Sequence, residues 1–185
     1  LENIVIKIDQ KNLYNLELQR KNKKNNNKDF FVDFSKASLK KGETNYDIKM
    51  RIKGDRVLHW YDKDQSSYKI DLRGEKRIWG LEEFSVQKPI TRNYIYEYIF
   101  HKLLEANKLI SLKYFFINLS LNDTDQGIYA VEEGFSKELI ERNKKRNGPI
   151  FGLEETSGII YPDVKYDLYS KKYWEDNQGE LIKIA

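Results

Sequence analysis

Residues 118 to 140 read NLSLNDTDQGIYAVEEGFSKELI. The segment divides into a strand, a polar turn, a second strand and the start of a helix. Upstream, YFFINLSL alternates Phe115, Ile117, Leu119 and Leu121 with other residues, the period of a half-buried strand. NDTDQG is turn chemistry, and GIYAVEE resumes the alternation. The expectation is an antiparallel hairpin of residues 114–121 and 127–133. Its second strand ends on two adjacent acids, which pack poorly on pleated surfaces. Period two sets Glu133 on the face of Tyr129 and Val131, and Glu132 with Ile128 and Ala130. One carboxylate therefore points inward, where it needs a partner.

Working outward, NIVIKI places Ile4, Ile6 and Ile8 on one face of a strand. NLYNLELQRK favours a short helix on the Leu13–Leu16 spacing, KNKKNNNK reads as a solvated basic loop, and FFVDF as a short strand. In YDIKMRIKG, Tyr46, Ile48, Met50 and Ile52 face one way and Lys49, Arg51 and Lys53 the other. SYKIDL and FSVQK continue a β-meander. A helix is expected from Thr91, through TRNYIYEYIFHKLLEANK, with Ile95, Ile99 and Leu103 as a stripe against the sheet. A second follows Ser136 and stops at Asn147-Gly148-Pro149. The predicted fold is α+β: a mostly antiparallel sheet with two principal helices. The tail from residue 151, with Trp174 and several tyrosines, reads as a loop-rich segment with some helix.

The 185 residues suit a single domain, and a 14% aromatic share supplies large side chains for a core despite 34% charged residues. The net charge of +4 is spread along the chain, with no nucleic-acid motif, so no nucleic-acid partner is expected. The absence of cysteine excludes disulfides and thiolate metal sites. No run approaches the ~20 apolar residues of a membrane span. The chain opens on Leu1 and stops within the apolar pattern GELIKIA, the expectation being a piece of a longer protein.

Two histidines, His59 and His101, offer little to zinc or triad chemistry, and no glycine-rich phosphate loop or nucleophile elbow is present. What remains is cations on strands and acids at a strand end. Arg51, Lys53 and Lys69 project from one meander, a disposition that suits phosphate, a solvated sheet face being the more ordinary reading. A lysine or arginine is the natural partner of the inward acid, as in the Lys–Glu pair with which kinases hold nucleotide phosphates. A structural ion pair is the plainer alternative.

MRIKGDR (50–56), SYKIDL (67–72), WGLEEFSVQ (79–87), TRNYIYEYIFHKLL (91–104) and the hairpin segment through Glu141, in that order and spacing, resemble the CotH family of spore-coat and cell-envelope atypical kinases. The resemblance covers residues 45–155 and is nearest to a branch accompanying bacterial surface-polysaccharide genes. It implies a single CotH-like domain over residues 1–185, truncated at its C-terminus and corresponding to the nucleotide-side half of a kinase. It implies Glu133, six residues after Gly127, as the catalytic-site glutamate, and Arg92 and Asn93 as the helix-start pair. With Lys69, Arg51 and Lys53 these would hold the nucleotide, ATP and Mg being the implied cofactors.

Where the family has a lysine before its Ser-Tyr pair, this sequence has Gln65 and Ser66; Lys63 and Lys69 lie nearby but off the motif. The family's metal-holding aspartates fall beyond Ala185, and Asp163, Asp167 and Asp176 match none of its motifs. The implied reaction is Mg-dependent phosphoryl transfer from ATP to a protein hydroxyl, carried out by the complete protein at the cell envelope. The alternative is a non-catalytic module binding a surface polymer or a coat protein through aromatic side chains.

Overall fold

The computed structural model describes residues 1–25, 33–54, 57–61, 66–146, 148–153 and 166–168, with Trp174 and Asp176. It divides into two compact units, Leu1–Leu139 and Ile140–Ala185. The first unit carries seven strands: β1 (Glu2–Lys7), β2 (Ser35–Lys41), β3 (Thr44–Ile52), β4 (Tyr68–Leu72), β5 (Glu83–Gln87), β6 (Tyr114–Leu121) and β7 (Thr124–Glu133). Its helices are α1 (Gln10–Lys24) and α2 (Tyr96–Ala106), with short 3-10 turns at Val57–His59 and Pro89–Arg92. α3 (Lys137–Arg142) straddles the division. In the second unit β8 (Phe151–Leu153) and β9 (Tyr166–Leu168) pair antiparallel.

The expected α+β fold is not what forms. The seven strands close into a barrel in the order β1-β2-β3-β4-β5-β7-β6. Every pairing is antiparallel except the seam, where β1 runs parallel to β6 with Ile4 opposite Leu119. Closure pairs every edge and leaves one interior to fill. Ile4, Ile6, Leu39, Ile48, Met50, Ile70, Phe84, Ile117, Leu119, Tyr129 and Val131 fill it. The expected open sheet fails on two counts. β2, SKASLKK, is too polar to announce itself, and the parallel seam joins residues 115 apart, beyond any local pattern. The expected kinase-like half with two principal helices is absent for the same reasons.

The hairpin forms, with its second strand starting at Thr124, inside the expected turn, and a register shift between Leu119 and Ser120. Phe115 lies opposite Val131 and Ile117 opposite Tyr129, with Ile117 and Leu119 buried and Phe115 packed at the core's margin. Asn122 and Asp123 both take left-handed backbone, the geometry of a two-residue hairpin turn. The Asn122 amide also accepts from the Ile8 N–H at 2.9 Å and donates to the Ile8 carbonyl at 3.0 Å, fixing the end of β1. α1 starts from an Asp9 cap and lies against β2 and β3, where buried Gln19 accepts the Ile52 N–H at 3.0 Å. The first part of the expected basic loop is thus helix, and the rest lies outside the described residues. So do residues 30–32 of the expected FFVDF strand; Asp33 and Phe34 are not in a strand.

The helix expected from Thr91 begins five residues later. Pro89–Arg92 is a 3-10 turn, and Asn93 and Tyr94 then take left-handed backbone at φ 50° and 62° before α2 starts at Tyr96. Thr91 does not cap it; its hydroxyl donates to the Lys88 carbonyl at 2.7 Å. α2 is also turned over. Its buried face carries His101, whose ring stacks on Tyr114 of β6, while Ile95, Ile99 and Leu103 are exposed.

Candidate functional site

Strand parity puts Lys53 outside the barrel, on the face opposite Ile52. Across the sheet, Gln87 at the end of β5 and Glu132 near the end of β7 share that outer face, where the Pro89–Arg92 turn packs beside β7. There the Lys53 Nζ donates to the Glu132 carboxylate at 2.6 Å and to the Gln87 amide oxygen at 3.2 Å. Gln87, fully buried, returns its amide nitrogen to the other Glu132 oxygen at 2.6 Å. Arg92 adds its Nε at 3.7 Å from that oxygen. The Lys53 and Glu132 side chains are 18% and 14% exposed, so the pair is largely desolvated.

Two backbone devices aim Lys53. Its N–H donates to the Ser67 carbonyl at 2.8 Å, and Gly54 after it bends the chain at φ 86°. A Cβ on Gly54 would lie 2.4 Å from the His59 ring, so only glycine fits there. His59 is itself held by its Nδ1 at 3.0 Å from the Ser67 hydroxyl.

The charges tune one another. Burial alone would raise Glu132, but the Lys53 ammonium, Arg92 and Gln87 outweigh it and hold the carboxyl below its ordinary range. Desolvation pulls Lys53 below the ordinary lysine range, with Glu132 opposing and Arg92 reinforcing. Burial pushes the neighbouring Tyr114 phenol up to about 12. The Arg92 Nε is buried and carries no hydrogen bond among the described residues. A desolvated cationic nitrogen without an acceptor is the least satisfied atom of the cluster, and an anionic oxygen would satisfy it.

The structure distributes the sequence-derived site residues unevenly. Glu133 does turn inward and is 3% exposed, but its carboxylate accepts the Lys113 N–H at 2.7 Å, and Lys53 and Arg92 lie on Glu132. The expectation is corrected in one respect: Glu132, expected to be structural or solvated, is the acid that holds Lys53. Lys69 pairs with Glu83 at 2.9 Å on the outer face of β4 and β5, and Arg51 lies over the Phe34 ring at 5.4 Å. Neither joins the cluster. Asn93 follows Arg92 in a left-handed, exposed position. Gln87 was missed altogether, and its polar side chain ending an apolar strand was the available signal. Lys63, Gln65 and Asp163 lie outside the described residues, as does the side chain of Asp167; Asp176 is exposed.

Among the described residues no three carboxylates or imidazoles converge as a metal site, and Glu132 is committed to Lys53, Gln87 and Arg92. The residues present suit a phosphate and do not make a magnesium site. No protein-family model matches the chain, and no curated protein matches it.

Proposed function

We propose that Lys53 and Arg92 form a phosphate-binding site oriented by Glu132, and that the chain is the nucleotide-holding part of a phosphoryl-transfer protein of the CotH-like kind. The observation that carries the reading is the buried Arg92 Nε, without a hydrogen-bond acceptor among the described residues, beside a desolvated Lys53–Glu132 pair. The order of motifs across residues 45–155 supports it independently. The reading rests on the site and not on the fold, since the barrel departs from the α+β half that the resemblance implied. ATP bound there would supply the transferable phosphoryl group. The chain's own residues bind and orient: Lys53 and Arg92 donate to phosphate oxygens, Gln87 holds Glu132, and Glu132 keeps Lys53 charged and aimed.

Isothermal titration of the chain with an ATP analogue tests this, with and without magnesium. Binding is expected, and Lys53→Met should weaken it at least ~10-fold, the worth of one charge-assisted hydrogen bond. Glu132→Gln should weaken it as well, and Glu133→Gln should not. No binding at millimolar analogue, or equal loss in both glutamate variants, would sink the proposal in favour of a non-catalytic binding module.

A further inference from the structure

Helix α2 is built inside out. In a helix packed on a sheet the apolar stripe faces the sheet. Here the side towards the barrel holds Glu97 and His101. The His101 Nδ1 accepts the Leu112 N–H at 3.2 Å, and its Nε2 lies 3.3 Å from the Glu97 carboxylate. The outward side presents Ile95, Tyr96, Ile99, Phe100 and Leu103, each between 44% and 68% exposed. Exposed Tyr94, Leu109 and Ile110 extend the surface at the two ends of the helix. Nothing in the ion cluster or in the barrel core uses these side chains.

From this face we infer that two copies of the chain associate through α2, helix against helix and antiparallel, about a two-fold axis near Ile99. Two features favour a second copy. The eight exposed side chains offer on the order of 800 Å², the share one partner contributes to a standard stable interface and more than the largest patch of a typical monomer. The residues at 95, 99 and 103 form an i, i+4 ridge symmetric about Ile99, so the face is its own complement.

Sedimentation velocity on the 185-residue chain should show a dimer at micromolar concentration. Leu103→Glu should raise its dissociation constant at least ~100-fold while leaving the circular dichroism spectrum unchanged. Because the chain has no cysteine, Ile99→Cys places a single thiol at the axis, and mild oxidation should yield one covalent dimer. A monomer at ~100 μM overturns the inference, whether the face is then covered by the chain's own residues or open to a different protein. A dimer that ignores Leu103→Glu and does not cross-link through Ile99→Cys overturns it too, by placing the interface elsewhere. The ATP-analogue titration is independent: Leu103→Glu should retain phosphate binding, so failure of either idea is visible without the other.

Discussion

Lys53 and Glu132 are the residues on which chemistry and stability meet. Removing one partner leaves the other charged and desolvated. Lys53→Met should therefore destabilise by about 3 kcal/mol in urea unfolding, and the double change Lys53→Met/Glu132→Leu should recover much of it. If the double variant is no more stable than the single, the pair is not coupled. The pH dependence follows from the directions of the two shifts. Glu132 is lowered, so its stabilising contribution is present above the carboxylate value of the unfolded chain, 4.5, and is lost as pH falls through the lower folded value. Lys53 is lowered too, so its penalty is full below the folded value and fades as pH rises towards 10.5. In Glu132→Gln the ammonium loses its counter-charge and should lose its proton at lower pH still, measurable by NMR of the lysine side chain. Gly54→Ala should cost about 2 kcal/mol from its left-handed backbone and more from the His59 ring. The site was partly legible. Alternation had already placed Lys53 on the face opposite Ile52 and Glu132 on the face opposite Val131, so parity allowed their meeting. Parity alone does not say which of the two acids meets Lys53: Glu133 turns inward and accepts the Lys113 N–H, while Glu132, on the outer face, takes the ammonium.

At the scale of elements, strands with strong alternation were readable, as were α1 and the helix after Ser136, while α2 was misplaced. β3, β4, β5 and the β6–β7 hairpin follow their period, because one face of each is committed to a single core. α2 defeats the same logic, since its moment points away from the barrel. His101→Leu makes the test. If the helix packed as its pattern implies, a larger apolar residue would be neutral. In the observed packing it strands the Leu112 N–H and the Glu97 carboxylate, and thermal unfolding should report a loss of about 1–2 kcal/mol. Leu119→Ala, inside the barrel, should cost about 2–5 kcal/mol. The start of α2 was illegible for a different reason: two consecutive left-handed residues, Asn93 and Tyr94, interrupt a segment with good helical propensity throughout. Such a backbone is costly for tyrosine and is maintained by its surroundings, next to Arg92 of the ion cluster.

For the whole molecule, closure matters more than any one strand. β1 is six residues long and near the start of the chain, yet it is hydrogen-bonded on both sides, to β2 and to β6. Native-state hydrogen exchange should find the amides of Ile4 and Ile6 as protected as those of β7. Rapid exchange there, as for a fraying end, would mean that the barrel is open in solution. The seam also sets an order of events during synthesis. Once Lys41 and Ile52 have emerged from a ribosome, β1, β2 and β3 can associate, but Ile6 must wait for Leu121, 115 residues later. At ~5–20 residues per second that wait is roughly 6–23 s, and for the later part of it a half-built sheet carries two bare edges. β7 must then take its place between β5 and β6 as β6 docks on β1. The nascent chain is therefore most exposed to wrong pairing just before the β6–β7 hairpin leaves the exit tunnel, and a cell making this protein has most to gain from a chaperone at that moment.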